Sequence, residues 1–194
     1  MIINLLELKE IHTKAIVFDC FGTLVKIKKK TKPYKFLYEK LKELNMDIPN
    51  YAHHVMTSYQ DIDTIEKEFN INFSDNIKEE FNRKLQEEIQ SIEYFPETKD
   101  FLHYLKENSI KTLICSNLAH PYGEFTKNIS VDGHILSYEV GFIKPQKEIF
   151  EICQNKLNLN KEDIIFVGDT YKDDYLGSKE YGFNAYWLKR EKHE

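Results

Sequence analysis

Five short apolar runs stand out along the chain: Lys14–Phe18, Lys111–Cys115, His134–Tyr138, Ile164–Val167 and Asn184–Leu188, each bounded by turn residues or a change of period. Runs of this length without alternation predict strands buried on both faces, as in a parallel sheet. Between them the apolar spacing becomes helical. TKDFLHYLKEN, after Pro96, puts Phe101, Leu102 and Leu105 on one face; KEIFEICQNKL, after Pro145, does the same with Ile149, Ile152, Cys153 and Leu157. This alternation predicts an α/β protein, an open parallel sheet with helices on both faces and ligands at the carboxyl ends of the strands.

Residues 31–95 break the alternation and read as consecutive helices. Tyr34, Leu37, Tyr38, Leu41 and Leu44 share one face, and Ile77, Phe81, Leu85 and Ile89 another. No strand is expected there. The division that follows is an α/β core from residues 1–30 and 96–194, with an all-helical unit over 31–95 inserted after the first strand and rejoining at 93–96. No internal repeat is evident.

Composition narrows the class of protein. With 41% hydrophobic and 30% charged residues in 194, the chain is globular and long enough for a core that needs no staples. Its three cysteines, Cys20, Cys115 and Cys153, are far apart and form no CxxC pair, which excludes a disulfide framework or zinc knuckle. Cys20 and Cys115 read as core residues. The net charge of −5 is concentrated in residues 31–95, with 8 Lys/Arg against 13 Asp/Glu and a single arginine, Arg83, so no nucleic-acid partner is expected. Glu7, Lys9 and Glu10 break up the first residues, and no later run approaches the ~18 apolar residues of a membrane span. The expectation is a cytoplasmic protein with no membrane partner, in which the sequons at Asn72 and Asn128 have no role. Neither GxxxxGK[ST] nor GxGxxG occurs, which excludes nucleotide binding by those loops.

The first run ends in VFDCFGTL, placing Asp19 at a strand end, followed by Gly22, which permits a tight turn, and Thr23. Three further polar groups follow runs in the same way: Ser116-Asn117 after TLIC, Lys144-Pro145 after HILSYEVG, and Gly168-Asp169 after IIFV. In a parallel sheet these ends converge.

Their order and residue types resemble the haloacid dehalogenase-like superfamily, whose Rossmann-like core carries four motifs: an Asp-led strand end with Gly-Thr, a Ser/Thr strand end, a Lys, and an acidic Gly-Asp strand end. The resemblance spans nearly the whole chain and makes 31–95 a helical cap. It implies a hydrolase in which Asp19 is the nucleophile, Lys144 keeps Asp19 ionised and offsets developing charge, and Ser116 donates to a substrate oxygen. Gly22, Thr23 and Asn117 would bind substrate. Mg²⁺ would be held by Asp19, the backbone carbonyl of Phe21 and Asp169, supported by Asp173 or Asp174, between which the sequence does not choose. The implied partner is a small anionic substrate, phosphorylated in the phosphatase branch, and the chain is expected to be a monomer or homodimer.

One position departs from the phosphatase pattern. Phe21 occupies the place of a second Asp, which protonates the leaving alcohol and later activates water; losing a positioned acid–base costs ~10²–10⁴ in rate. The family's haloacid dehalogenases also lack that Asp and carry an aromatic Tyr. They need a cap arginine, however, have a Tyr where this chain has Phe150, and lack the acid retained here as Asp169. Phosphonate-cleaving members combine a small residue at the Phe21 place with a Schiff-base cap lysine; Lys67 is available, but Phe is not small. The resulting reading is a Mg²⁺-dependent phosphatase of a small phosphomonoester, slowed by Phe21. A haloacid dehalogenase and a weakly catalytic protein that binds a phosphorylated ligand are the alternatives. His53, His54, Asp61 and Asp63 are candidates for a substitute acid, His120 for a residue facing the site, and Lys26, Lys28, Lys29 and Lys30 for a solvated loop or a steering patch.

Overall fold

A computed structural model describes residues 2–3, 5–10 and 12–190. Eight strands, β1 (Ile2–Ile3), β2 (Ala15–Phe18), β3 (Val25–Ile27), β4 (Ile92–Tyr94), β5 (Lys111–Ser116), β6 (Gly133–Leu136), β7 (Ile164–Gly168) and β8 (Asn184–Leu188), form two sheets. The larger is six-stranded, ordered β1-β8-β7-β2-β5-β6, with every pair parallel. β2 lies at its centre, bonded to β5 on one side and β7 on the other, where the strand order reverses. This is the position at which open α/β sheets place their ligands.

Burial explains the run pattern. All four residues of β2 and all five of β7 are buried, as interior parallel strands require. Helices α5 (Thr98–Glu107) and α8 (Lys147–Leu157) cover the sheet with the expected faces. Phe101, Leu102 and Leu105 are buried, as are Ile149, Cys153 and Leu157; Ile152 is only partly buried, whereas its neighbour Phe150 is fully enclosed against Phe166 and Phe183. All three cysteines are free and buried.

Helices α1 (Pro33–Glu43), α2 (Tyr51–Thr57), α3 (Ile62–Phe69) and α4 (Asp75–Gln90) lie between β2 and β5 and share a core of Leu37, Leu41, Val55, Ile65, Phe81 and Leu85. Leu44 does not join that face. It caps α1 and is exposed, because the chain turns into Asn45 with positive φ. The expectation of no strand within 31–95 is also corrected, since β4 pairs antiparallel with β3. Lys26 faces Glu93 across this ribbon, and their salt bridge of 3.1 Å helps join the insert to the sheet. Strands of three residues are too short to establish a period. Where the two ends of the insert meet, the buried Glu88 accepts from the Lys32 amide (3.0 Å) and lies 3.1 Å from Thr31 Oγ1, whose shorter bond, 2.6 Å, goes to the Lys84 carbonyl.

A second correction concerns the run His134–Tyr138, which is a strand only to Leu136. Ser137 opens a short helix, α7 (Ser137–Val140), ending at Gly141 with φ 76°. Ser137 Oγ accepts from the Leu118 amide at 3.0 Å, a tertiary contact that overrides local apolar character. Among the described residues, no helix is long and apolar enough to cross a membrane.

Candidate active site

The carboxyl ends of β2, β5 and β7 deliver three polar groups to one point, and the loop after α7 supplies a fourth. Lys144 is fully buried. Its Nζ donates to Asp19 Oδ1 at 2.7 Å, to Asp174 Oδ1 at 2.7 Å and to the Cys115 carbonyl at 2.8 Å, so all three ammonium protons are used. Burial alone would lower its pKa, but Asp174 and Asp19 hold it well above the ordinary lysine value. Ser116 Oγ makes a longer bond to the same Asp19 Oδ1, at 3.4 Å. Asn117 acts one step back: its Oδ1 accepts from the Lys144 amide at 2.8 Å, and its Nδ2 donates to the Lys144 carbonyl at 3.0 Å. That reciprocal pair fixes the lysine backbone relative to β5.

After β7 the chain enters a wide π-type turn, Tyr171–Leu176, of the kind that often accompanies functional sites. The turn buries Asp174, whose Oδ2 accepts the Thr170 amide at 2.9 Å. Asp173 is half-exposed and lines the pocket without entering the tight cluster. Of the two acids left open by the sequence, Asp174 is the one that joins a cluster: Asp19, Asp169 and Asp174 place one carboxylate oxygen each within 4.8 Å of one another. Trp187 Nε1 anchors the Asp169 carbonyl at 2.8 Å.

Three acids around one ammonium leave an excess of negative charge in a buried site. Burial pushes Asp19 up to about 7, and Asp174 and Asp169 add to that against the pull of Lys144. Burial, then Asp174, raises Asp169 as well. The donor set is all oxygen, hard and anionic, which suits a small divalent cation. Gly22 completes the fit: it has φ +94°, and a Cβ there would lie 2.1 Å from Asp169 Oδ2, so only glycine lets the β2 loop approach this carboxylate.

The enclosing pocket is small, about 110 Å³, and is lined by Asp19, Phe21, Ser116, Asn117, Lys144, Thr170, Asp173 and Asp174. Thr23 is not among these residues. It is fully buried, with no hydrogen-bond partner for Oγ1 among the described residues, away from the pocket where it was expected to bind substrate. The candidate substitute acids also lie elsewhere. His54 binds Glu68 at 3.0 Å, Asp61 caps α3 by accepting the Thr64 amide at 2.7 Å, and His53 and Asp63 are exposed. His120 packs between Tyr59 and Tyr138 and does not line the pocket. Lys26 and Lys28 share Glu93, and Lys29 pairs with Glu87, so two carboxylates offset about half the charge of the basic run. A feature missed from the sequence is a larger cavity, about 670 Å³, that shares Phe21 and Asn117 with this pocket. The helical periods of α1 and α2 gave its residues no mark distinguishing a cavity wall from a packed core.

The family model for haloacid dehalogenase-like hydrolases matches residues 13–182. The chain belongs to that family. It is 28% identical over 172 residues to an uncharacterized hydrolase of Saccharomyces cerevisiae, YOR131C, an alignment covering 84% of this chain and 71% of the yeast protein. Haloacetate dehalogenase H-2 of Moraxella sp. is 26% identical over 112 residues, and there the match takes in 55% of this chain but only half of the dehalogenase. A solved Bacteroides thetaiotaomicron enzyme of the same family, bt-2542, in complex with magnesium and inorganic phosphate, has the same fold with a TM-score of 0.67 at 17% identity, over 93% of this chain and 96% of that one. Similar solved folds include proteins described as phosphatases and one described as a 2-haloacid dehalogenase.

Proposed function

We propose that this hydrolase is a Mg²⁺-dependent phosphatase of a small phosphomonoester, acting through Asp19. The observation that carries the reading is the triple-acid cluster: Asp19, Asp169 and Asp174 converge on one point and leave their charge only partly balanced by Lys144. A metal-free displacement of halide has no use for that excess charge. Asp19, Asp169 and the Phe21 carbonyl would hold the cation, with Asp174 oriented behind them by Lys144 and Thr170. Bound there, Mg²⁺ supplies positive charge that keeps the carboxylates ionised and draws electron density from a phosphoryl group.

The protein's own groups account for the remaining chemistry. Lys144 and Ser116 both bind Asp19 Oδ1, which orients the carboxylate and leaves Oδ2 without a hydrogen bond among the described residues. Oδ2 attacks phosphorus in line, the ester oxygen departs, and water then cleaves the aspartyl-phosphate. Ser116 and Lys144 stand on the side where negative charge accumulates. Phe21 offers no proton to the leaving oxygen and no base to the water, so the second step is slow.

The dehalogenase reading draws on Phe21 and on the Moraxella relative. Among the described residues, though, no arginine reaches the pocket, and Arg83 is held on the surface by Glu80 and Glu87. The deciding assay measures phosphate release from p-nitrophenyl phosphate and chloride release from 2-chloropropionate, each with Mg²⁺ and with EDTA, using Asp19→Asn as the blank. Mg²⁺-dependent phosphate release that is lost in the blank is the expected result. Metal-independent chloride release would replace the proposal with the dehalogenase.

A further inference from the structure

The larger cavity indicates what the phosphate is attached to, an inference that rests on the phosphatase reading. It lies where the helical insert meets the sheet, walled by Tyr38, Tyr51 and Val55 from the insert and by Leu118 and Tyr122 beyond β5. Lys35 is the one charged side chain lining it among the described residues. Phe21 and Asn117 line both cavities, so a ligand whose phosphoryl group sat beside Asp19 would meet apolar space on passing the Phe21 ring. The wall is ordered by ring contacts: Phe21 meets Tyr122 edge to face at 5.9 Å, and Tyr38 stacks on Tyr51 at 5.0 Å.

Two independent properties of this site select the same chemistry. A polar, hydroxyl-rich leaving group would surrender its hydration to an aromatic wall with few partners to replace it, whereas an apolar ring gains from leaving water. Phe21 stands where an acid would protonate a leaving alkoxide, so the ester oxygen must depart as a stable anion, and a phenol, with a pKa of about 10 as in tyrosine, provides one. We propose that the substrate is a phosphate monoester of an apolar aromatic alcohol, its ring lodged in the larger cavity against Phe21 and Tyr122. Asp19 Oδ2 forms a bond to phosphorus as the aryl oxygen–phosphorus bond breaks, and the aryloxide leaves with the electron pair. Water then bonds to phosphorus, Asp19 is regenerated, and the proton released by that water balances the one the aryloxide takes up from solvent.

The test compares kcat/KM for 1-naphthyl phosphate, phenyl phosphate, glycerol 3-phosphate and acetyl phosphate, all with Mg²⁺. Acetyl phosphate has a good leaving group but no apolar body, so it reports the phosphatase chemistry alone. Naphthyl phosphate is expected to exceed phenyl phosphate by at least ~10-fold, the effect of a modest apolar increment in a fitted pocket, and glycerol 3-phosphate to be the poorest substrate. Ala52→Trp, at an exposed position on the cavity wall, is expected to lower the naphthyl-to-acetyl ratio of kcat/KM by ~10-fold or more by filling the space. Turnover of acetyl phosphate with no naphthyl preference, or an unchanged ratio in Ala52→Trp, overturns the aromatic assignment and leaves the phosphatase intact. No turnover of any of the four overturns both.

Discussion

Phe21 packs against Tyr122 two residues beyond Asp19, so an aromatic ring lines both the polar pocket and the apolar cavity where a proton donor was expected. Phe21→Asp restores that donor, and its expected effect is a gain in turnover of alkyl phosphates such as glycerol 3-phosphate, up to ~10². Steady-state phosphate release checks this, and a variant no faster than wild type would contradict the role given to the ring. Asp19 carries a second consequence. Burial raises its folded-state pKa to about 7 from 3.8, so in metal-free protein it favours folding below about 3.8 and loses that contribution as pH rises through about 7. In EDTA, the stability of Asp19→Asn relative to wild type should therefore grow between pH 5 and pH 8, measured by urea unfolding at each pH. Saturating Mg²⁺ should flatten the trend. A relative stability independent of pH in EDTA would show that Asp19 is not strained by its neighbours.

The loop after β2 is the element on which the site most depends. Gly22 carries φ +94° and lies against Asp169, so Gly22→Ala should displace the loop, weaken Mg²⁺ binding measured by calorimetry at least tenfold (about 1.4 kcal/mol), and abolish phosphate release while the fold persists. Much of this arrangement was legible in the sequence. Interior parallel strands are buried on both faces, so the largely apolar runs Lys14–Phe18, Lys111–Cys115 and Ile164–Val167 predicted β2, β5 and β7, and the polar residues that follow them lie at the candidate site. Other features depended on tertiary placement. The β3/β4 ribbon is too short to show a period, and the strand at His134 stops where Ser137 binds Leu118 across the chain. Asp174 rather than Asp173 joins the cluster because the turn after β7 is π-type, and adjacent acids are identical until that turn is known. Thr23 followed the motif in sequence but is buried away from the pocket.

At the scale of the molecule, the sheet and its loops supply the charged groups and the insert contributes much of the apolar wall, so under the proposed function reaction and selectivity would rest on different parts of the chain. Glu88 ties the two ends of the insert together through Thr31 and Lys32. Glu88→Ala leaves the Lys32 amide unmatched, while Thr31 keeps its 2.6 Å bond to the Lys84 carbonyl, and should cost roughly 1–3 kcal/mol in urea unfolding. It should also raise KM for aryl phosphates more than for acetyl phosphate, because the ends of the insert are then less firmly held. If Asp19 itself accepts the phosphoryl group, Phe21 makes the intermediate accessible, because no base stands there to hasten its hydrolysis. The most direct measurement is mass spectrometry of the enzyme quenched in acid after mixing with acetyl phosphate and Mg²⁺. One phosphoryl group on the peptide carrying Asp19, absent in EDTA and released by hydroxylamine, is the predicted result. Turnover with no phosphorylated enzyme under these conditions, or with the group on another residue, would contradict the account.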